Sequence, residues 1–190
     1  MSALPCPVCG GPVRRTVRRD APAAPRSSRR AGAPRHLQIA CPRCRYKLYE
    51  YPRLCVGFLV TRGEDVLVLT RGHQPRRGYL DLPGGFLEEG EDFERAARRE
   101  LFEETALRVG KAELLGTYWD RYALPVFGSF PTLNYYYVAP WRSGSPRAGD
   151  DAAHAEWVPL AALPRMARRF AWRHMGRVLR DLSRWRRGSA

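Results

Sequence analysis

The sequence has no apolar run approaching the roughly 18 residues that a membrane-spanning helix needs, and its opening, MSALPCPVCGG, has no charged stretch leading into an apolar one. The first absence argues against a membrane partner, and the second leads to the expectation of a cytoplasmic protein. Lysine is nearly missing: 31 of the 33 basic residues are arginine. Codon usage alone can produce such a bias, so the formal net charge of +14 favours anionic partners in general without singling out nucleic acid. Acid is scarce at both ends, with two acids against twelve Lys or Arg in residues 1–53 and one against nine in 160–190. No internal repeat is visible. At 190 residues and 44 % hydrophobic content, the chain suffices for one full core and a small accessory module, and excludes two ordinary domains.

Five cysteines are present, four of them in two Cys-Pro-x-Cys pairs, Cys6/Cys9 and Cys41/Cys44. A two-residue gap lets both thiolates of a pair reach one tetrahedral ion from a tight turn, so two such pairs point to a structural zinc site. A disulfide framework fits less well without a secretory leader, and two pairs favour a four-thiolate zinc site over a redox motif. Between the pairs lies an Arg/Pro-rich stretch, about 14–36, almost free of large apolar residues. It reads as a flexible loop joining short strands near 13–17 and 37–40, which makes residues 1–52 a zinc ribbon with a long tip. So small a unit depends on its metal for stability. Cys55, in an apolar run, reads as a packing residue.

A second domain is expected over 53–190. LCVGFLVT and VLVLT, joined at RGED, give a hairpin signal. The loop RGHQPRRGYLDLPGG follows, then a helix over 92–105, strands near 113–119, 133–139 and 155–158, and one closing helix over 163–187. The arginines of that last helix are expected on a solvated face rather than on a membrane.

Eight of the 19 acids fall in GGFLEEGEDFERAARRELFEETAL, residues 84–107. On a helix Glu100, Glu103 and Glu104 share one face with Ala96 and Ala97. Pairs such as Glu91 with Arg95, Glu94 with Arg98 and Arg99 with Glu103 account for part of the charge. Glu100 has no basic residue at i±3 or i±4. Carboxylates clustered this way repel one another unless a cation joins them, and an all-oxygen set selects Mg²⁺ or Mn²⁺. Hard cations beside a Gly-Gly turn suit the chemistry of a pyrophosphate.

This stretch resembles the Nudix box, G-x5-E-x7-R-E-U-x-E-E-x-G-U, with Gly85, Glu91, Arg99, Glu100, Leu101, Glu103, Glu104 and Leu107 in place and Ala106 where the family has Gly. The resemblance implies an α/β/α sandwich on a mixed sheet and metal-dependent attack of water on phosphorus in a nucleoside diphosphate linked to another moiety. It implies Glu103 and Glu104 as metal ligands, Glu100 as ligand or general base, and the Gly84 carbonyl in the metal shell. Arg99 and Glu91 would pair to orient the helix and the base. A homodimer is also in keeping with it.

Ala106 leaves two outcomes: the helix runs on, letting Glu104 pair with Arg108, or the residue accepts a left-handed conformation at a cost of about 1 kcal/mol. A zinc ribbon ahead of the box, joined through YPR, resembles the NADH pyrophosphatases, but their S-Q-P-W-P-F-P-x-S signature is absent. The region LLGTYWDRYALPVFGSFPTLNYYYVAP is more similar to the ADP-ribose pyrophosphatase-like group. That ranks ADP-ribose or a related nucleotide sugar first and NADH second. Arg76, Arg77, Tyr79, Tyr118, Tyr122 and Phe127 border the expected substrate path, with Arg77, Tyr79, Tyr118 and Tyr122 the candidate substrate contacts; Asp81 reads as a loop acceptor. The alternatives are a nucleic-acid-binding or regulatory module that keeps the fold, and a hydrolase of RNA nucleotide caps gripped by the basic ribbon. Nucleic acid is the less favoured partner, because a binding module gives the clustered carboxylates no purpose.

Overall fold

A computed structural model describes residues 5–17, 37–48, 51–124, 128–149 and 151–188. The expected loop tip over 18–36 and Phe127 lie outside the described residues. The chain divides into two compact units, Met1–Tyr51 and Pro52–Ala190. Among the described residues no helix is long and apolar enough to cross a membrane.

The smaller unit is a three-stranded antiparallel sheet of β1 (Arg14–Val17), β2 (Leu37–Ala40) and β3 (Lys47–Leu48), with β2 in the middle. Residues 14–17 are therefore strand rather than loop. Each Cys-Pro-x-Cys pair forms a tight turn in which the first cysteine's carbonyl accepts an N–H four residues on, from Gly10 in one case and Arg45 in the other. Gly10 and Arg45 both adopt left-handed backbone, at φ 69° and 62°, and so turn each chain back toward its own strand.

The larger unit is built on an eight-stranded mixed sheet. Its strands are β4 (Arg53–Arg62), β5 (Asp65–Arg71), β6 (Leu80–Asp81), β7 (Gly84–Phe86), β8 (Arg108–Val109), β9 (Glu113–Leu124), β10 (Gly128–Ser143) and β11 (Ala152–Pro159). The main order is β11-β5-β4-β10-β8, with β9 on β10; among the strand pairings of the described residues, β4–β10 alone is parallel. Residues on β4 alternate between two cores, as period-2 strands require. Val56, Phe58 and Val60 pack with Ala96, Ala97 and Leu101 of helix α1 (Phe93–Thr105), while Leu59 packs with Val178, Leu179 and Leu182 of helix α3 (Met175–Gly188). The result is an α/β/α sandwich.

β4 and β5 pair only at their hairpin end, Thr61 with Val66 and Arg62 with Asp65. Beyond it they part, and β6 and β7 fill the opening: β6 pairs with β5, and β7 pairs with β4 over residues 55–57. The Phe58 N–H closes the gap by donating to the Pro83 carbonyl at 2.9 Å. This split carries the Gly84–Gly85 turn into the middle of the sheet, facing α1.

One expectation needs correction. The single closing helix over 163–187 is broken into α2 (Leu163–Met166), a 3₁₀ turn (Ala167–Arg169), an extended Phe170 followed by a bend and a turn over 171–174, and α3. Tertiary bonds outweigh local propensity there: Phe170 bridges to Leu80, the Ala171 N–H donates to the Leu80 carbonyl at 2.8 Å, and the His174 N–H donates to Asp120 at 3.1 Å. Of the two outcomes open at Ala106, the left-handed one is found, and helix α1 ends at Thr105. Ala106 caps it in the left-handed conformation, φ 59° and ψ 15°, with its N–H on the Phe102 carbonyl.

Ala pays a steric penalty in that conformation which Gly does not. Ala106→Gly is expected to raise unfolding stability by about 1 kcal/mol in urea titration, without changing the course of the chain around the cap.

Candidate active site

Helix α1 starts where Asp92 accepts the N–H groups of Glu94 and Arg95 at 3.0 and 3.2 Å, a side-chain cap that fixes the phase of every later residue. Ala96 and Ala97, both 0 % exposed, bring the helix hard against β4. Glu100 and Glu104 then lie over β7. A Cβ on residue 85 would stand 2.5 Å from the Glu100 carboxylate, so any side chain there displaces that carboxylate. Gly84, at φ 153°, leaves no more room, since a Cβ there would meet the Val56 carbonyl oxygen at 2.2 Å. Its N–H donates to Glu104 Oε2 at 2.8 Å. Both glycines are thus explained by contact with the helix or its underlying strand.

Arg99 organises the other carboxylates. Its Nε and Nη2 donate to the two oxygens of Glu91 at 2.8 and 2.9 Å, and Nη1 donates to Glu100 Oε1 at 2.9 Å and to Glu103 Oε2 at 3.1 Å. Glu91 therefore pairs with Arg99 and not with Arg95, and Glu100 does have a basic partner, one residue away. The adjacent position reaches it because Glu91 pins the guanidinium from the far side. Bonding to Arg99 pulls the Glu91 carboxyl down to about 2. Burial pushes Glu104 up to about 8 against the opposing Gly84 N–H, with Asp81, Glu100 and Asp151 adding to the rise. Burial also lifts Glu100, against Arg99.

One guanidinium thus serves Glu91, Glu100 and Glu103, and Glu104 has a backbone N–H alone. The face is under-neutralised, and hard divalent cations suit such a donor set. Among the described residues, the three glutamates do not form a set whose ligand oxygens all lie within 4.8 Å of one another. The cysteines do. Cys6 and Cys44 sulfurs are 3.6 Å apart and those of Cys9 and Cys41 are 3.5 Å apart, close to the roughly 3.8 Å edge implied by a tetrahedron with 2.3 Å Zn–S bonds. The Cys44 N–H pulls Cys41 down to about 7. Cys44 is pushed up to about 12, against the Tyr46 N–H, by burial and its neighbouring sulfurs, which cannot all ionise without a cation between them.

Of the candidate substrate residues, Tyr118 is corrected: it is 2 % exposed, its ring packs on Tyr136, and its hydroxyl donates to Asp181 of α3 at 3.1 Å. A side chain locked in the core offers no surface for a base. Arg77 and Tyr79 are exposed on the loop after β5, where the Arg76 guanidinium lies 5.4 Å from the Tyr79 ring; no contact joins them to the carboxylates. Tyr122 is half-buried in a cluster that the sequence did not reveal. It stacks on Trp172 at 4.9 Å and Phe130 at 5.4 Å and meets Phe86 edge-on at 5.5 Å. Arg53 lies 4.5 Å from the Phe130 ring. Asp81 holds Trp172 in place, accepting its indole N–H at 2.8 Å and Arg71 Nη1 at 2.9 Å on the same oxygen. Burial raises both the Glu104 carboxyl and the Tyr122 hydroxyl, and Asp81 and Asp151 add to both rises, so the aromatic cluster lies within electrostatic reach of the carboxylates.

A family model of the NUDIX domain matches residues 51–182. The chain belongs to the Nudix family. It is 33 % identical over 144 residues to the ADP-ribose pyrophosphatase of Methanocaldococcus jannaschii, covering 76 % of this chain and 80 % of that one. It is 35 % identical over 158 residues to the NAD-capped RNA hydrolase NudC of Pseudomonas aeruginosa, covering 80 % of this chain and 51 % of that one, so it spans about half the length of that Nudix relative. Among solved structures, a NUDIX hydrolase from Nitrosomonas europaea superposes with TM-score 0.58 at 23 % identity, covering 93 % of this chain and 90 % of that one. The NUDIX domain of Shewanella oneidensis NrtR, complexed with ADP ribose, gives 0.59 at 22 % identity over 72 % of this chain and 89 % of that one. At these identities the two structures speak for the Nudix fold alone.

The Glu91–Arg99 clamp carries a pH signature. A carboxylate depressed by its partner stabilises the fold fully above its unfolded value, near 4.5, and that stability is lost as pH falls through about 2. Glu91→Gln is therefore expected to lower the urea midpoint at pH 7, with the gap to the wild type shrinking from about pH 4.5 and closing near pH 2.

Proposed function

We propose that this Nudix protein is a Mg²⁺- or Mn²⁺-dependent hydrolase of pyrophosphate bonds that cleaves a nucleoside diphosphate linked to another moiety. ADP-ribose or a related nucleotide sugar ranks first as substrate and NADH second. The observation that carries this is the seating of Glu100 on Gly85 and Glu104 on Gly84, which gathers under-neutralised carboxylates beside a backbone turn and an aromatic cluster. The name of the M. jannaschii relative supports the ranking.

Glu100, Glu103 and Glu104, with the Gly84 carbonyl, would hold the cations. When bound, these supply charge neutralisation to the two phosphates and acidify a water. Water's oxygen adds to one phosphorus, the bridging P–O bond breaks, and two phosphate monoesters leave. Glu100 takes one proton of the water, and the other ends on a product phosphate. Arg99, held by Glu91, keeps Glu100 in place. Phe86, Tyr122, Phe130 and Trp172 offer the rings on which a base stacks, and Arg77 and Tyr79 reach the substrate from the loop above. The four cysteines hold a structural zinc ion.

A second reading, hydrolysis of a nucleotide cap on RNA, has the support of the P. aeruginosa relative and of the basic ends of the chain. A purely nucleic-acid-binding role leaves the carboxylate face without work and ranks below both.

The test is release of AMP from ADP-ribose, ADP-linked sugars and NADH, and of nicotinamide mononucleotide from a short NAD-capped RNA, with Mg²⁺ or Mn²⁺ and with chelator, alongside metal analysis of the same preparation. Metal-dependent cleavage is expected, reduced at least about 100-fold by Glu104→Gln, with one zinc per chain. Full activity in Glu104→Gln, or cleavage that survives removal of divalent cations, refutes the mechanism; a zinc-free folded ribbon refutes the zinc assignment.

A further inference from the structure

The box helix has a second functional-looking face. Arg98 and Phe102 project about 160° from Glu100 around α1, away from the carboxylates. Behind them, between α1 and the β8 end of the sheet, lies a cleft of about 480 Å³, within the range of small-ligand sites. Leu101, Leu107 and Val109 form its floor, and Arg98, Arg108 and Arg142 stand around it. The floor residues are 1 %, 1 % and 6 % exposed. No carboxylate lines the cleft.

The three arginines differ in how they are held. Arg98 is fixed: Nε and Nη2 donate to Glu94 Oε1, while Nη1 and Nη2 donate to the Val109 and Gly110 carbonyls at 3.2 and 2.8 Å. Arg108 and Arg142 are exposed and form no ion pair among the described residues. Guanidiniums gathered on one cleft repel unless an anion joins them, and their planar forks suit phosphate oxygens. Phe102 adds an aromatic surface. It is 47 % exposed although it is large and apolar, and the Arg108 guanidinium lies 4.8 Å from its ring. A planar heterocycle stacks on such a surface.

We propose that this cleft is a second ligand site, separate from the carboxylate face, which binds a nucleoside monophosphate with its phosphate on Arg108 and Arg142 and its base against Phe102. Ser143, also on the lining, offers a hydroxyl to the same phosphate.

The test is isothermal titration of the full chain with AMP in the presence of chelator, which keeps divalent cations from the carboxylate face, with inorganic phosphate and adenosine as probes of the two halves. One AMP per chain is expected. Arg142→Ala and Arg108→Ala each weaken AMP and phosphate about tenfold or more, whereas Phe102→Ala weakens AMP and leaves phosphate unchanged. Near-UV circular dichroism confirms that each variant is folded. Hydrolysis of the preferred substrate stays at the wild-type rate in Arg142→Ala. No AMP binding under chelator overturns the site, as does binding indifferent to both arginines. Equal loss of AMP and phosphate in Phe102→Ala overturns the nucleotide assignment. Binding under chelator needs no turnover, so these outcomes hold whether or not the pyrophosphatase reading survives.

Discussion

The contact on which the larger unit depends is the approach of Glu100 to residue 85, so close that a single methyl group would collide with the carboxylate. Everything around it makes that approach feasible. Ala96 and Ala97 remove the bulk that would hold α1 off the sheet, and Leu101 anchors the same helix in the core with 1 % exposure. The parting of β4 and β5 gives β7 a place in the sheet, and β7 brings the glycines. Desolvating carboxylates in this way costs free energy, and Arg99 offsets only part of it. What remains is a negative face whose natural complement is a divalent cation and, through it, a phosphate.

The Glu91–Arg99 clamp deals with a separate problem. A carboxylate set among alanines and other acids on its helix face has nothing there to orient it, but a guanidinium gripped at two atoms by Glu91 leaves its third nitrogen aimed at Glu100 and Glu103. Fork-to-fork geometry supplies direction as well as energy. Asp81 plays the corresponding part for the aromatic cluster. It is 8 % exposed and fixes Arg71 and Trp172 on one oxygen, while the Leu82 N–H donates to its other oxygen at 2.9 Å. Glu91 and Asp81 thus each set the position of a group that faces the substrate path in the proposed function.

Local patterns made the first strands and the box helix legible in the sequence, and the sandwich followed from the resemblance to the Nudix box. The period of Val56 to Val60 on β4, the Asp92 cap and the spacing of Glu100, Glu103 and Glu104 all express nearest-neighbour geometry, and the helix expected over 92–105 is found at Phe93–Thr105. Long-range contacts were not legible. Tyr122, Phe130 and Trp172 meet only because the chain between α2 and α3 abandons its helix to bond Leu80 and Asp120, and nothing in RMARRFAWRHM signals that choice. Tyr118 misled for the same reason: an aromatic in a polar stretch looks exposed until the partner strand and helix that bury it are known. Ala106 was legible as a departure, but its left-handed backbone could be settled only by the packed structure.

The central claim is that the α1 carboxylates act as one cation site. Titration of the protein with Mn²⁺, followed by electron paramagnetic resonance, addresses it without reference to any substrate. Saturable binding is expected, weaker in Glu100→Gln, Glu103→Gln and Glu104→Gln alike and lost in Gly85→Ala, where Glu100 is displaced. Mn²⁺ affinity unchanged across all four variants would contradict it.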